Sequence, residues 1–157
     1  MNKRESLEEI KDLYRSLIPK DGTPCSYCGL LATDKEHVTP ISWIEKAKEL
    51  KAMGFNVVVP KEKIVSSCRE CNLIASARIF ESFREKKLYI RWKLTKKYKK
   101  WLDREEWDDC ELEELSGDFR RRTTIYNEIL KLVRKRLETI NAEKILAKYD
   151  YFQELWP

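Results

Sequence analysis

Histidine and glycine are scarce in this sequence, whose 157 residues include one histidine and four glycines. The chain also lacks an apolar run long enough to span a bilayer, and it lacks the charged and then apolar leader typical of a signal peptide. We therefore expect a cytoplasmic protein without a membrane partner. In that reducing compartment, the five cysteines favour metal binding or redox chemistry over structural disulfides.

Glycine and proline are almost missing from the second half of the chain. After residue 86 only Gly117 and the terminal Pro157 occur, and these two residue types are strong helix breakers. The sequence therefore predicts an almost wholly helical extension over residues 86–157. Apolar residues at helical spacing mark one long helix over residues 119–140. An earlier apolar stripe consists of Ile90, Leu94, Tyr98 and Trp101.

Shorter elements are predicted in the first half of the chain. Residues 5–18 have the apolar spacing of an amphipathic helix, and residues 42–53 indicate a second helix with Gly54 as its stop. The β-branched and apolar runs within residues 55–65 favour extended chain. A further helix is then expected over residues 69–83.

Charge is strongly segregated along the predicted helical extension. Residues 86–100 hold eight bases and no acid, whereas residues 103–114 hold eight acids and one base. A basic helix face can neutralise nucleic-acid phosphates, and it can equally be a solvated surface. The acidic run predicts a solvated or intramolecular counter-surface, with a basic partner protein as the alternative. The net charge of +5 points only weakly to a polyanion.

Four of the cysteines form two CxxC pairs, Cys25 with Cys28 and Cys68 with Cys71, which leaves Cys110 unpaired. Two thiolates three positions apart on a tight turn bind one zinc ion from the same side, and two such pairs complete a closed tetrahedral site. Such a site has no open coordination position, so it is structural rather than catalytic. A redox CxxC is the alternative, but the chain lacks the βαβ pattern expected around one.

The single histidine lies between the two pairs, in the string KEHVTP that begins at Lys35. Glu36 supplies a hard oxygen ligand for a cation, and His37 supplies a base. Asn72 directly follows Cys71 and can offer a carbonyl oxygen to the same cation if the zinc ion holds the two segments together. The chemistry of the chain is therefore expected at these three residues.

The order CxxC, acidic-His-Val-x-Pro and CxxCN resembles the four-cysteine zinc branch of the HNH or ββα-metal endonucleases, which includes endonuclease VII-like resolvases and small phage HNH proteins. The resemblance covers residues 23–83. It implies a zinc-ribbon ββα-metal module over residues 21–85, in which a β-hairpin is followed by a helix. Together with the N-terminal helix predicted within residues 1–20 and the helical extension over residues 86–157, we expect an α+β, mostly helical chain. A phage origin would place the protein in the host cytoplasm.

By this resemblance, His37 is the general base of a DNA endonuclease, and Glu36 and Asn72 bind a catalytic Mg²⁺ or Mn²⁺. Three positions depart from the family pattern. Glu36 stands where aspartate is usual, the middle asparagine falls near Lys63 and is absent, and Ala75 stands where a lysine is common. The alternative function is therefore a catalytically degenerate zinc-ribbon protein that binds nucleic acid or a host protein.

The predicted nucleic-acid contacts are eight basic residues that follow the motif. DNA is the expected partner, and RNA is left open. The eight residues are Arg78, Lys86, Lys87, Arg91, Lys93, Lys96, Lys97 and Lys100. A homodimer through the C-terminal helices is a further arrangement that the sequence leaves open, because resolvase-like relatives often dimerise.

Overall fold

A computed structural model describes residues 22–156 of the protein. The helix expected at residues 5–18 lies outside the described residues. Within residues 22–156 the chain is α+β and mostly helical, as the sequence predicts, with seven helices and one two-stranded antiparallel sheet. None of these described helices combines the length and the apolar character that crossing a membrane requires.

The described elements place both strands before most of the helices. In chain order they are β1 (Asp34–His37), α1 (Ile41–Ala52), β2 (Ile64–Ser67), α2 (Arg69–Ala75), α3 (Phe83–Leu102), α4 (Asp109–Glu114), α5 (Gly117–Thr139), α6 (Ala142–Leu146) and α7 (Tyr149–Leu155). The expected boundary between residues 85 and 86 falls within the first turn of α3.

β1 and β2 pair in antiparallel register, with Glu36 opposite Val65 and His37 opposite Ile64. Successive side chains of a strand point to opposite faces of the sheet. Burial follows this alternation, since Glu36 is buried and His37 is half-buried. β2 leads directly into α2, and α2 packs against β1.

α1 and a loop over residues 53–63 separate the two strands. The helix expected at residues 42–53 is confirmed, and Gly54 follows it with a φ of +89°, a left-handed conformation that glycine adopts without steric cost. The apolar residues that follow form no strand, because only Ile64–Ser67 reaches β1. Phe55 and Val58 are exposed on this loop.

The helix expected over residues 69–83 is wrong in its second half, because α2 ends at Ala75. Ser76 has a φ of +45°, which lies outside the right-handed helical region. After a short turn, the Ser82 hydroxyl accepts a hydrogen bond from the Glu85 amide and caps the start of α3. The break lets α2 and α3 pack against each other.

The main core lies where α3 meets α5. The apolar stripe predicted on α3 is buried, and α5 supplies a matching stripe. These core residues are Ile90, Leu94, Tyr98 and Trp101 of α3 with Ile129, Leu130, Val133 and Leu137 of α5. Residues three or four positions apart lie on one helix face, so each helix buries a continuous stripe against the other.

The acidic segment before α5 is bound by α5 itself. Asn127 Nδ2 donates to the Trp107 carbonyl at 2.7 Å, and the Trp107 amide donates to Asn127 Oδ1 at 3.1 Å. Glu106 forms ion pairs with Lys131 at 3.2 Å and with Arg134 at 3.3 Å. These contacts give part of the acidic run an intramolecular partner.

Leu130→Ala is expected to lower the free energy of unfolding by about 2–5 kcal/mol, because it removes buried apolar contacts and leaves a cavity. Urea denaturation of the zinc-loaded protein measures the change. Leu73→Ala is the matched control, since Leu73 is 68% exposed, and its effect is expected to stay within about 0.5 kcal/mol. Equal losses in the two variants would contradict this packing of α5.

Candidate functional site

Two turns bring the two CxxC pairs together. The first pair lies in a turn that the bridge between Pro24 and Leu31 closes. The second pair spans the start of α2, where Cys68 is the N-terminal cap residue. A hydrogen bond of 2.9 Å from the Ser26 amide to the Ser66 carbonyl ties the first turn to β2. The strand pairing thus places the two halves of a metal site side by side.

The four thiols form a cluster of the size that a tetrahedral metal ion requires. The Sγ atoms of Cys25, Cys28, Cys68 and Cys71 all lie within 4.8 Å of one another. Cys28 Sγ is 3.7 Å from Cys68 Sγ. Zinc with four sulfurs at about 2.3 Å would hold them about 3.8 Å apart. All four are buried, whereas Cys110 is exposed. The cluster can therefore hold a metal ion such as zinc.

The residue after the first pair has to be small because α5 lies against it. A Cβ atom on Gly29 would come within 2.8 Å of Thr139 Cγ2, at the last residue of α5. Gly29 also has a φ of +78°, which favours glycine. The metal-binding turn therefore rests directly on the helical extension.

The four thiols control one another's protonation. Hydrogen bonds with its neighbours, Cys28 first, lower the pKa of Cys25. Hydrogen bonds led by that of Cys25 raise the pKa of Cys68 and of Cys71. The Cys25 contact also raises the pKa of Cys28, but the Cys68 and Cys71 contacts and the Arg136 charge outweigh it and bring that pKa to about 7. Without a metal ion these contacts favour the thiolate at Cys25 and Cys28 and the thiol at Cys68 and Cys71. A bound metal ion would favour the thiolate at all four.

Arg136 of α5 contacts this cluster from a distant part of the chain. Its Nη2 atom donates to Cys28 Sγ at 3.5 Å, and its Nη1 atom donates to Glu70. The Tyr98 hydroxyl donates to Glu70 Oε1 at 3.0 Å. Burial lowers the pKa of Arg136, but Glu70 and Cys28 outweigh it and raise that pKa. The buried guanidinium therefore stays charged and offsets part of the negative charge of four thiolates.

Next to the cluster, Glu36 forms a buried ion pair with Lys86 of α3. Lys86 Nζ lies 2.6 Å from Glu36 Oε1, and it donates to the carbonyls of His37 at 3.1 Å and Val38 at 2.9 Å. The Lys86 side chain is 1% exposed. Lys86, which the sequence assigns to a nucleic-acid-binding surface, therefore lies inside the protein.

The Tyr27 hydroxyl is a further neighbour of the Glu36 carboxylate, because, after burial and charge, a hydrogen bond to Glu36 contributes to the raised pKa of Tyr27. Neither carboxylate oxygen nor this hydroxyl has a well-aligned hydrogen bond among the described residues. Burial and then the charge of Glu36 raise the pKa of Tyr27, so this hydroxyl stays protonated. A buried carboxylate without well-aligned hydrogen bonds can act as an oxygen ligand for a cation. Lys86 already places one positive charge beside it.

His37 lies beside Glu62, in the loop before β2. His37 Nδ1 is 3.2 Å from Glu62 Oε1, an ion-pair distance. The two atoms are not aligned for a hydrogen bond, since His37 Nδ1 has no hydrogen-bond partner among the described residues. The sequence reasoning missed Glu62. The available signal was its position next to Lys63, where the HNH pattern has its middle asparagine.

Asn72 is half-buried in α2, the helix that packs against β1. No hydrogen bond or ion pair within residues 22–156 joins its side chain to Glu36 or His37. In the same part of the chain, the four thiols are the one group of at least three cysteine, histidine or acidic side chains arranged for a metal ion. The structure thus unites the four cysteines, whereas it places Glu36 and His37 on opposite faces of β1.

The eight predicted nucleic-acid contacts differ in their surroundings. Three have partners within the protein: Lys86 has Glu36, Arg91 donates to the Tyr27 carbonyl, and Lys97 pairs with Glu70. Four lie over aromatic rings, namely Arg78, Lys87, Lys93 and Lys96. The last, Lys100, is exposed near the end of α3.

Comparison of the chain with protein-family models, with curated proteins and with solved structures finds no match. A function therefore has to be inferred from the four-thiol cluster, the Glu36–Lys86 pair and the His37–Glu62 pair. Of these three features, the cluster has the clearest chemistry, which is metal binding.

Arg136→Met is expected to lower the free energy of unfolding by roughly 1.5–3 kcal/mol, because Glu70 loses one charged hydrogen-bond donor and keeps Lys97 and Tyr98. The variant is also expected to release zinc faster to a competing chelator, since Cys28 loses a hydrogen-bond donor. Urea denaturation and chelator competition measure the two effects. Lys135→Met, at the exposed neighbouring position, is the matched control. If both variants behaved like the wild type, the role assigned to Arg136 would be wrong.

Proposed function

We propose that this protein is a zinc-stabilised, HNH-type endonuclease that hydrolyses DNA phosphodiester bonds with a divalent cation. The order of elements around the four-thiol cluster carries the proposal. A strand that ends in Glu36 and His37 pairs with a second strand, and this second strand leads into the helix that bears Cys71 and Asn72. The HNH resemblance implies a β-hairpin followed by a helix. Here α1 and a loop separate the two paired strands, and the helix follows the second strand.

His37 acts as the general base in this proposal. Its Nε2 atom takes a proton from a water molecule, the water oxygen attacks phosphorus, and the bond from phosphorus to the 3′ oxygen breaks. In this proposal Glu62, 3.2 Å from Nδ1, aligns with the imidazole when substrate binds, fixes its tautomer and offsets the charge of the imidazolium that forms. Glu62 is therefore a positioning residue, because it acts through His37.

Glu36 and Asn72 would hold the catalytic Mg²⁺ or Mn²⁺ through side-chain oxygens. Such a cation, when bound, offsets the charge that builds on the phosphate and on the leaving 3′ oxygen. The unsatisfied carboxylate of Glu36 supports this assignment. Lys86 lies against Oε1 of that carboxylate, which leaves Oε2 as the candidate ligand atom.

The Glu36–Lys86 ion pair also favours a second candidate, a zinc-ribbon protein that binds nucleic acid or a host protein without cleavage. The Lys86 ammonium, held by two carbonyls and one carboxylate, compensates the charge of Glu36 without a metal ion. The placement of Glu36 and His37 on opposite faces of β1 favours the same candidate. A cleavage assay separates the two functions.

His37→Ala is expected to lower the rate of DNA cleavage by roughly 100- to 10,000-fold, the contribution of a general base. The substrates are a supercoiled plasmid and a branched DNA, with Mg²⁺ or Mn²⁺ and with excess EDTA as the negative control. Zinc content and urea denaturation confirm that each sample is loaded and folded.

Two outcomes of this assay would change the proposal. Metal-dependent cleavage that persists at the wild-type rate in His37→Ala would refute the mechanism. Failure of the folded, zinc-loaded wild type to cut either DNA would instead select the binding protein.

Glu62→Ala is expected to lower kcat by roughly 10- to 100-fold with little change in KM, by analogy with histidines that lose an orienting partner. Glu62→Gln retains a hydrogen-bond acceptor and should recover part of this loss. Glu45→Ala, at an exposed position of α1, is the matched control. A purely structural role for Glu62 would be indicated if glutamine gave no recovery and the alanine variant were equally destabilised in urea.

A further inference from the structure

Three basic side chains gather over two aromatic rings of α3. The Arg78 guanidinium carbon lies 4.7 Å from the centre of the Tyr89 ring. Lys93 Nζ lies 5.5 Å from that ring centre and 4.6 Å from the centre of the Trp92 ring. Lys96 Nζ lies 5.3 Å from the Trp92 ring. We call Arg78, Lys93 and Lys96 the basic triad.

The break between α2 and α3 brings Arg78 to this position. The Arg78 amide donates to the last residue of α2 at 3.1 Å, which closes the turn. Phe80 of the same segment packs on Tyr89, with ring centres 5.2 Å apart, and Trp156 packs on both Tyr89 and Trp92. Both supporting rings are buried. The triad therefore stands on a packed aromatic base.

The triad lacks the internal partners of other bases on α3. Within residues 22–156 no carboxylate forms an ion pair with any of its three members, whereas Lys86 and Lys97 face carboxylates of β1 and α2. Partial burial and the neighbouring charges of Lys96 and Arg78 lower the pKa of Lys93. The three cations therefore repel one another, and a bound anion would relieve that repulsion.

We propose that the basic triad binds a backbone phosphate of DNA. The inference rests on the proposed nucleic-acid substrate, although it does not require that the DNA be cleaved. The planar guanidinium of Arg78 can bind two phosphate oxygens at once, and the two ammonium groups act as point charges beside it. A phosphate has further oxygens for the two ammonium groups once two of its oxygens face the guanidinium.

The triad lies on a different part of α3 from the residue that contacts His37. Lys86, which binds the His37 carbonyl, lies seven residues before Lys93, or about two helical turns away. In this proposal the triad therefore affects substrate binding rather than the chemical step.

The test compares two triple variants in the full-length, zinc-loaded chain. The first replaces the triad by Arg78→Gln, Lys93→Gln and Lys96→Gln. The matched control removes the same charge at exposed positions elsewhere, by Lys135→Gln, Lys144→Gln and Lys148→Gln. Both sets also carry His37→Ala, so that a labelled DNA duplex stays intact. Fluorescence anisotropy measures Kd over a range of salt concentrations.

Removal of the triad is expected to weaken DNA binding roughly 10-fold or more, and to reduce the slope of log Kd against log salt by about 1 for each phosphate that is no longer neutralised. The control should retain the slope and most of the affinity. Three results would each overturn the proposal. They are equal losses of affinity in the two variants, a triad variant that binds DNA as tightly as the parent protein, and a parent protein that does not bind DNA.

A cleavage assay of the two triple variants, with His37 restored, distinguishes this inference from the nuclease proposal. Removal of the triad should raise KM at unchanged kcat. If DNA binding depended on the triad but no cleavage occurred, the nuclease proposal would be refuted and the phosphate site would stand. If the triad variant cleaved DNA with normal KM and bound it normally, the nuclease proposal would stand and the phosphate site would be refuted.

Discussion

Four buried thiols gathered in one place are the constraint on which the rest of the structure depends. Sulfur atoms within 4.8 Å of one another repel when ionised, unless a metal ion binds between them. The first turn and the start of α2 supply these sulfurs, and the pairing of β1 with β2 brings the two segments together. Arg136 connects the same cluster to α5 through Cys28. A metal ion in the cluster would therefore stabilise the contact with α5 as well.

Other buried charges connect the small sheet with the helices. Lys86 of α3 binds Glu36 of β1, and Arg136 of α5 binds Glu70 of α2. Buried ion pairs add little net stability, but removal of one partner is costly, so they specify how the elements fit together. Residues 22–85 and the helical extension consequently share one core, and α3 extends across the boundary between them.

Local patterns predicted several features of the structure, although they missed the end of α2 at Ala75. The CxxC spacing predicted the thiol cluster, and Gly54 marked the end of α1. Contacts between distant segments were not predictable in this way, since no sequence pattern connects Arg136 with Cys28. Burial of Lys86 had a signal: it lies four residues before Ile90, on the apolar stripe of α3, although its charge favoured a surface position.

The segment over residues 38–63 is fixed at both ends, because paired strands and the thiol cluster hold its two boundaries together. The entropy lost on closing such a loop grows only logarithmically with its length, by about 0.6 kcal/mol for each doubling. Its exposed residues, such as Phe55 and Val58, contribute little to the core. The part of the loop around Phe55 and Val58 can therefore change in length during evolution while Glu62 and the strands on either side keep their positions.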